Sequence, residues 1–472
     1  MTETKQFDMV VVANRLPVDI HVDDDGQITS RRSPGGLVAA LEPALQAAEA
    51  AWVGWVGAPD LEIAPFVADG IHQAPVPLSG QEVQDYYEGF ANSTIWPLYH
   101  DVITPPMFHR EWAESYRQVN HRFALHAAKA AASGATVWVH DYQLQLVPRM
   151  LRAMRPDLRI GFFLHIPFPD LGLFTQLPWR RLVLEGLLGA DLIGFQRASD
   201  AANFRSCVRH ILGITARGQS IQINPGSLYP RTVRAAPFPI SIDFAAMDQM
   251  ARKPSVQRRA LAIRAELGDP QTVFFGADRL DYTKGIRHRL KAYSELLDEG
   301  RLEIPGTVMV QVASPTRDNV EAYQMLRDDV ETTVGRINGD HSTLGRSAVQ
   351  YLHQSQSYEE MVALFLAADV LLITALRDGM NLVAKEYPAA RCDRGGVLIL
   401  SEFAGAADEL TQALIVNPHD IDQLKSAMVR AATMPIAERR RRMAALRRRV
   451  RERDVTHWTS SFLNALGARW VG

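Results

Sequence analysis

The chain has 472 residues, of which 47% are hydrophobic and 22% charged, and its formal net charge is -2. At ~150 residues per domain this length favours two sizeable domains, and the composition excludes a disordered or fibrous protein. A net charge so near zero supplies no field that would attract nucleic acid or an acidic membrane. Ligand recognition must therefore depend on local groups.

Only two cysteines are present, Cys207 and Cys392, which excludes a disulfide framework and a cysteine-rich metal site. Residues 1–8 are polar and no apolar run approaches ~18 residues, so neither a signal peptide nor a membrane span is predicted. We expect a cytoplasmic protein.

Short apolar runs alternate with amphipathic segments through the first half of the chain. The predicted strands are Met9–Ala13, Thr136–Val139, Ile160–His165 and Asp191–Phe195, and the predicted helices include Glu111–Ala132, Gln143–Met154 and Ala198–Leu212. Such alternation predicts a parallel sheet with helices on both faces. The acids of residues 23–25 indicate a hairpin turn, although acid pairs can also hold a metal.

The same alternation restarts after Ile240. The predicted strands are Thr272–Gly276, Thr307–Val312, Val349–Leu352, Val370–Thr374, Val397–Leu400 and Leu414–Val416. We therefore predict an α/β fold with two doubly wound Rossmann-like domains, residues 1–238 and 239–454, and a final helix in 455–472 that crosses back to the first domain. Ligands bind at the carboxyl ends of the strands in such domains, so one active site is expected in a central cleft.

The arginine-rich segment 438–453 suggests nucleic-acid binding when it is taken alone. Met443, Leu446 and Val450 recur within it at helical spacing. A long amphipathic helix with a solvated basic face is therefore the better prediction.

The stretch from Leu376 to Glu386 combines a strand end, a glycine turn and a helix start. The first N–H groups of a helix lack partners and attract phosphate, and Gly379 allows a close approach. Asp378 can reach sugar hydroxyls, and Glu386, further into the helix, can accept two hydrogen bonds from a ribose. Acids near a helix start can also simply complement its dipole. The stretch predicts a nucleotide-sugar site.

Two cations lie five residues apart in the turn after Gly276, where Arg279 and Lys284 can converge on one diphosphate. An ordinary turn with exposed cations is the alternative. Gly35 and Gly36 open another predicted helix and again allow close approach to phosphate, or simply accompany a helix cap. No G-x-G-x-x-G follows the first strand, which argues against a nicotinamide enzyme.

Aromatic and histidine residues complete the candidate site. Tyr87 and Trp96 lie in a stretch of little periodicity and suit stacking on a sugar, although core aromatics have the same pattern. Asp141 and His165 each lie at a predicted strand end and are expected to meet in one crevice. A histidine at a strand end can also be purely structural.

Together these motifs resemble the trehalose-6-phosphate synthases, the retaining GT-B glycosyltransferases of family 20, and particularly their actinobacterial branch. The resemblance runs from about residue 9 to 465, and it rests on Asn14-Arg15, Gly35-Gly36, Tyr87 with Trp96, His140 to Tyr142, Gly161 to Pro169, Arg279 to Gly285 and Arg377 to Glu386. Gln143 departs from the histidine of many relatives, at a position just outside the substrate contacts.

The resemblance implies transfer of glucose from a nucleotide diphosphate glucose to glucose 6-phosphate, with retention, giving α,α-trehalose 6-phosphate. UDP-glucose is the default donor, and GDP-glucose and ADP-glucose remain open. It implies no metal and no cofactor beyond the nucleotide-sugar cosubstrate, and a homodimer or homotetramer. The same fold with another acceptor, as in glucosylglycerol-phosphate synthases or cyclitol pseudo-glycosyltransferases, and a non-catalytic sugar-phosphate sensor are the rival interpretations.

The resemblance also implies residue roles. The catalytic residues would be Asp141, His165, Arg279 and Lys284. The acceptor would be bound by Arg15, Tyr87, Trp96, Asp141 and Arg317. The donor would be bound by Gly35, Gly36, His165, Arg279, Lys284, Gln356, Asp378, Leu382, Val383 and Glu386. Trp96 and Ile166 would help to select the anomer. Because no carboxylate pair suggests double displacement, we expect same-face attack in which the leaving phosphate accepts the proton.

Overall fold

The computed structural model describes residues 5–22, 28–32, 50–224, 226, 230–317 and 320–468. The chain divides into two compact units, which we call unit 1 (Met1–Ile240 with Thr456–Gly472) and unit 2 (Ser241–Val455). The predicted boundaries, after residues 238 and 454, lie within two residues of these divisions.

The described part of unit 1 is built on a ten-stranded sheet. Its strands are β1 (Phe7–Arg15), β4 (Ala51–Trp55), β5 (Phe66–Ala68), β6 (Ile71–Pro75), β7 (Ala131–His140), β8 (Arg159–Phe163), β9 (Leu192–Phe195), β10 (Ala216–Arg217), β11 (Ser220–Ile223) and β12 (Arg231–Pro237), while β2 (Val18–Val22) and β3 (Ile28–Arg32) form a separate antiparallel pair. The order is β10-β11-β12-β9-β8-β7-β1-β4-β6-β5. The strands from β12 to β6 pair in parallel, as a doubly wound domain requires.

Helices and helical turns connect these strands. They are α1 (Gly80–Glu82), the π-helix α2 (Val83–Ile95), α3 (Trp96–Tyr99), α4 (Arg110–Ala130), a 3-10 turn (Tyr142–Leu144), α5 (Val147–Met154), α6 (Leu171–Phe174), α7 (Arg180–Leu187), and α8 (Ala198–Cys207) with its π-helical extension (Val208–Leu212). The capping box of α1, in which Ser79 and Glu82 satisfy each other's backbone N–H groups, begins the segment that carries Tyr87 and Trp96.

Unit 2 has a six-stranded sheet in which every pairing is parallel. Its strands are β13 (Thr272–Arg279), β14 (Thr307–Ser314), β15 (Val349–Leu352), β16 (Val370–Ile373), β17 (Val397–Ser401) and β18 (Leu414–Val416), in the order β15-β14-β13-β16-β17-β18. Its helices are α9 (Phe244–Ala251), α10 (Pro254–Glu266), α11 (Ile286–Asp298), α12 (Glu321–His341), α13 (Tyr358–Ala367), α14 (Val383–Ala390), α15 (Ile421–Ala432) and α16 (Ile436–Glu452), with 3-10 turns at Tyr282–Lys284 and Gly405–Asp408.

The predicted fold class is confirmed. Strands such as β16 are buried on both faces, which explains why they appear in the sequence as continuous apolar runs. The hairpin expected around residues 23–25 is present as the pair β2 and β3, but its turn lies outside the described residues, as does the helix start predicted at Gly35 and Gly36.

The prediction of a solvated basic face on α16 is wrong at one position. The face that packs inward carries Met443, Leu446 and Val450, as predicted, but Arg447 is also buried. Its guanidinium donates to the Pro388 and Ala389 carbonyls and to the Asp248 carboxylate. The arginine is tolerated inside because carbonyls and a carboxylate meet its donors.

The last helix, α17 (Val455–Leu466), packs on the sheet of unit 1. Phe462 stacks on Trp138 with ring centres 4.5 Å apart, and Trp458 lies 5.1 Å from the same ring. A Cβ atom at Gly161 or at Gly194 would lie 2.8 Å from the Phe462 ring, so both glycines make room for the helix. Among the residues that the structure describes, no helix is long and apolar enough to span a membrane.

Candidate functional site

The ends of β7 and β8 bring Asp141 and His165 together. Asp141 has φ 74° and ψ 171°, a conformation that costs a residue with a side chain about 1–3 kcal/mol. Its N–H donates to the Phe163 carbonyl at 2.8 Å, and its Oδ1 accepts the His165 N–H at 3.1 Å. The strained backbone of Asp141 is therefore held in place by the end of β8.

The His165 side chain is paired with a second imidazole. His140 Nδ1 lies 3.1 Å from His165 Nε2, so one ring donates and the other accepts. Burial lowers the pKa of His165 to about 3, and burial together with His165 lowers the pKa of His140 well below its ordinary value. Both rings are neutral at pH 7. The neighbouring Ile166 is buried, and the Trp458 ring lies 6.3 Å from that of His165.

Arg15 and Tyr87 both lie beside Trp55. Arg15 Cζ is 5.2 Å from the centre of the Trp55 ring, and the Tyr87 ring is 6.2 Å from it. Gly57 has φ 93°, and a Cβ atom there would lie 2.0 Å from Arg15 Nη2. A guanidinium beside aromatic faces suits a sugar phosphate, because the cation pairs with phosphate and the rings cover the sugar. The sequence interpretation missed Trp55 and Gly57, although a glycine just after a strand signals a close approach.

Trp96 belongs to a neighbouring aromatic group. It is buried at the start of α3, where its ring lies 4.1 Å from His100 and 5.6 Å from Tyr142. Tyr142 directly follows Asp141, and its hydroxyl donates to Asn92 Oδ1 at 2.7 Å. The π-helix and the end of β7 are thus joined by packed rings and a buried hydrogen bond.

In unit 2, Lys284 and Asp378 form an ion pair beyond the carboxyl ends of the adjacent strands β13 and β16. Lys284 Nζ lies 2.5 Å from Asp378 Oδ2, and both side chains are largely buried. Asn381 Nδ2 donates to the same oxygen at 3.1 Å, while Asn381 Oδ1 accepts the Ala384 N–H at 3.1 Å. Asn381 therefore connects Asp378 to the first turn of α14. Arg279, the last residue of β13, ends at the same sheet edge.

The turn that carries Asp378 is tightly packed. A Cβ atom at Gly405 would lie 1.9 Å from the Gly379 carbonyl oxygen, and the Asp378 N–H donates to the Phe403 carbonyl at 3.2 Å. A phosphate was predicted to approach the backbone closely at Gly379, and in the structure the backbone of Gly405 approaches it closely. This contact holds the start of α14 against the segment after β17.

Glu386 lies in the first turn of α14, after Leu382 at the N-cap and Val383 at the first helical position. Burial raises the pKa of Glu386 to about 7. Burial raises the pKa of the nearby Tyr358 phenol to about 12, and the Glu386 carboxylate contributes to the same rise. Glu386 is therefore a poorly solvated carboxyl group, which gains most from ligand groups that donate hydrogen bonds.

Gln356 lies between β15 and α13. Its Nε2 is buried and has no hydrogen-bond partner among the residues of the described ranges. An amide donor left unpaired inside a protein is costly unless a ligand or water meets it. This observation suits a contact with a nucleotide base.

Arg317, predicted to bind the acceptor, belongs to a buried cluster in unit 2. Its Nη1 lies 3.2 Å from Asp281 Oδ2 and contacts the Tyr323 hydroxyl, which donates to the same carboxylate at 3.1 Å. Burial would raise the pKa of Asp281, but Arg317, Lys284 and Arg279 lower it, and the net shift is downward. Asp281 also caps the 3-10 turn by accepting the Thr283 N–H. Sequence reasoning gave Asp281 no role.

Gly35 and Gly36 lie outside the described residues. In the described ranges, no group of three or more His, Cys, Asp or Glu side chains is arranged to hold a metal ion.

Two doubly wound units, with cations and carboxylates where the strands of unit 2 end, define a GT-B glycosyltransferase. More narrowly, the chain belongs to glycosyltransferase family 20, whose model matches residues 7–468. The resemblance found in the sequence is thereby confirmed, and the protein is an enzyme of glycosyl transfer.

The relatives include two mycobacterial enzymes. The chain is 55% identical over 467 residues to the trehalose-6-phosphate synthase of Mycolicibacterium paratuberculosis, with 97% of this chain and 95% of that protein covered. It is 54% identical over 471 residues to the trehalose-6-phosphate synthase of Mycobacterium tuberculosis, with 97% and 94% covered.

Solved structures are similar over almost their whole length. A UDP-forming α,α-trehalose-phosphate synthase from Burkholderia xenovorans in complex with glucose-6-phosphate has a TM-score of 0.88 at 34% identity, covering 98% of this chain and 100% of that one. A trehalose-6-phosphate enzyme from E. coli bound with UDP-2-fluoro glucose has a TM-score of 0.88 at 36% identity, covering 97% and 98%.

Proposed function

We propose that this enzyme transfers glucose from UDP-glucose to glucose 6-phosphate, with retention at the donor carbon, and releases α,α-trehalose 6-phosphate and UDP. The observation that carries the proposal is the Lys284–Asp378 pair, in which an ammonium and a carboxylate meet beyond the carboxyl ends of β13 and β16. The proposal is supported by relatives that are named trehalose-6-phosphate synthases and by UDP-forming structural neighbours.

Unit 2 supplies most of the proposed donor contacts. Arg279 and Lys284 would bind the diphosphate, and Asp378 would accept hydrogen bonds from glucose hydroxyls. The start of α14, with Leu382 and Val383, adds backbone N–H groups and the positive end of the helix dipole. Glu386 would bind the ribose. The unpaired amide of Gln356 is assigned to the base, and the imidazole of His165 to the donor glucose.

The proposed acceptor contacts form two groups, one that binds the phosphate and one that binds the sugar. Arg15, held against Trp55, and Arg317 would bind the phosphate, while Tyr87 and Trp96 would cover the sugar ring. Asp141 would accept a hydrogen bond from an acceptor hydroxyl. Ile166 would limit the space around the new bond and so help to select the anomer.

The chemistry would depend mainly on positioning and on charge stabilisation. As the glycosidic bond to the leaving diphosphate breaks, negative charge grows on its oxygens, where Arg279 and Lys284 stabilise it. The acceptor hydroxyl attacks from the same face of the glucose ring. Its proton passes to the leaving phosphate, which departs as part of UDP.

The experiment is release of nucleoside diphosphate in the presence of glucose 6-phosphate, run in parallel with UDP-glucose, GDP-glucose and ADP-glucose. The product is analysed for a phosphorylated, non-reducing disaccharide. We expect turnover that Lys284→Ala largely removes. Lys291→Ala is the matched control, because this exposed lysine lies in the same unit and touches none of the proposed contacts.

The other outcomes would identify the rival interpretations. Turnover with GDP-glucose or ADP-glucose alone would overturn the choice of base. No transfer to glucose 6-phosphate, by folded protein that still binds a nucleoside diphosphate, would indicate another phosphorylated acceptor or a sensor. The predicted cytoplasmic location and the predicted dimer or tetramer stay predictions.

A further inference from the structure

Arg289 is buried completely within unit 2, although it carries a permanent charge. It projects from α11, and its guanidinium lies 2.7 Å from the Asp278 carboxylate of β13. Nη1 also donates to Gln311 Oε1 of β14 at 3.3 Å, and Nε donates to Thr374 Oγ1 at 2.8 Å. A buried arginine with acceptors on three neighbouring strand segments is a costly arrangement that needs a reason.

The remaining guanidinium nitrogen contacts the turn that carries Lys284. Arg289 Nη2 donates to the Lys284 carbonyl at 3.0 Å, and Thr374 Oγ1 donates to the Gly285 carbonyl at 3.0 Å. The two consecutive carbonyls of the turn are thereby bonded from within the unit. Gly285 itself has φ 63°, and a Cβ atom there would lie 2.1 Å from the Thr374 carbonyl. The backbone of this turn therefore has little freedom.

The sheet also has a residue that makes room for this guanidinium. A Cβ atom at Gly276 of β13 would lie 2.3 Å from Arg289 Nη1 and 2.4 Å from Gln311 Oε1. Gly276 is otherwise in the middle of a buried strand, where glycine packs poorly. The space for the arginine is thus built into β13 itself.

We infer that Arg289 is a positioning residue for the donor site, because it fixes the Lys284–Gly285 turn and so directs the Lys284 ammonium to the diphosphate. The inference rests on the proposed function, in which that ammonium binds the leaving diphosphate. Arg289 touches no substrate in this scheme. It acts only through the carbonyl of Lys284 and through Thr374.

The test is a double-mutant cycle on nucleoside diphosphate binding and on kcat. Arg289→Lys keeps the positive charge but removes the guanidinium group that donates to several acceptors at once. Thr374→Val removes one hydroxyl with little change in volume. In the wild-type and in the Lys284→Ala background, calorimetry measures the affinity of each variant for UDP, GDP and ADP. Release of nucleoside diphosphate measures its kcat. A misplaced binding group can cost about 10²-fold, so we expect losses of about 10- to 100-fold in affinity and kcat in the wild-type background and less than about twofold in the Lys284→Ala background.

Arg447→Lys is the control for destabilisation. Arg447 is likewise buried and bonded to two carbonyls and a carboxylate, but it contacts α9 and the end of α14 and not the Lys284 turn. We expect this variant to lower the unfolding midpoint to a similar degree while leaving nucleotide affinity within about twofold of wild type.

Equal losses with and without Lys284, or losses that Arg447→Lys reproduces, would overturn the inference and leave Arg289 as a structural residue only. If Arg289→Lys does not fold, Thr374→Val decides the question alone. The proposed function fails separately, when folded wild-type protein binds the nucleoside diphosphates but transfers no glucose. Wild-type protein that binds none of the three would overturn both.

Discussion

Replacing Glu386 with glutamine should stabilise the protein at alkaline pH. Burial raises the pKa of Glu386 from 4.5 to about 7, and a difference of about 2.5 corresponds to roughly 3 kcal/mol at 1.36 kcal/mol per pKa unit, as an upper limit. Between these two values the native chain holds a proton that the unfolded chain has lost. The stability of the native state therefore falls as the pH rises from 4.5 to 7, and the full cost is present above pH 7.

Glutamine carries no charge and avoids this cost. We expect Glu386→Gln to match wild type near pH 4.5 and to exceed it at pH 8 by up to ~3 kcal/mol in the free energy of unfolding. Urea unfolding at pH 5 and at pH 8 measures the difference. Glu266→Gln, the same exchange at an exposed site of the same unit, is the control.

The same carboxyl group should release a proton when the nucleotide binds. Ribose hydroxyls that donate to Glu386 favour its charged form and lower its pKa, so a group that is half protonated at pH 7 would lose about 0.5 proton per nucleotide. Calorimetry with UDP in buffers of different ionisation enthalpy measures this number as the difference between wild type and Glu386→Gln.

The variant should also bind UDP about 10- to 100-fold more weakly, because hydrogen bonds to a charged acceptor contribute about 1.5–3 kcal/mol. A variant with wild-type affinity and wild-type proton release would refute the ribose role. A variant with unchanged stability at both pH values would refute the burial argument. Together the two results would mean that Glu386 is well solvated.

Three further outcomes are expected. Arg279→Ala should lower kcat about 10²-fold, since it removes one electrostatic partner of the leaving group, and a wild-type rate would contradict that role. Asp141→Gly should relieve up to about 1–3 kcal/mol of backbone strain yet raise KM for glucose 6-phosphate, which unfolding and steady-state kinetics measure separately; unchanged KM would remove Asp141 from the acceptor site. The His165 ring, with its pKa near 3, should show no titration in NMR spectra between pH 5 and 9, and a transition near pH 6.5 would contradict its burial.

Local patterns were sufficient to predict the six described strands of unit 2, but only four of the ten described strands in the main sheet of unit 1. Val370–Thr374 was predicted as a strand, and β16 covers Val370–Ile373, because a parallel strand buried on both faces has to be apolar throughout. The helix start predicted within the stretch from Leu376 to Glu386 lies in the structure at Val383. Asn381 instead has φ 74° and serves as a link between Asp378 and the helix.

Elements with unusual periods could not be predicted in this way. The stretch around Tyr87 and Trp96 has little helical or strand periodicity because Val83–Ile95 is a π-helix, in which i to i+5 bonding replaces the 3.6-residue period. Burial of Arg447 was equally hidden, since a charged residue within a basic run is normally solvated. The burial of Arg447 depends on partners that are distant in sequence, namely Asp248 and the carbonyls of Pro388 and Ala389.

Long-range pairing also limited the prediction of the site. The sequence indicated Lys284 and Asp378 separately, one for diphosphate and one for sugar, but their 2.5 Å contact joins residues 94 positions apart. The roles of Asp281 and Arg289 follow only from contacts across the sheet of unit 2. A polar residue inside a strand or helix pattern carries no local signal that it will be buried and paired.

The protonation states of His165 in unit 1 and of Glu386 in unit 2 bear on the proposed mechanism. A general base works best when its pKa is near the operating pH, and burial holds the pKa of His165 at about 3, too low for the ring to take the proton of an attacking hydroxyl at pH 7. Glu386, with a pKa of about 7, is assigned to the ribose and not to the reacting carbon. Neither group therefore suits the role of general base, and the proposed mechanism gives that role to the leaving diphosphate, which Arg279 and Lys284 would bind. This argues for the proposed same-face transfer, in which the leaving group itself receives the proton of the acceptor.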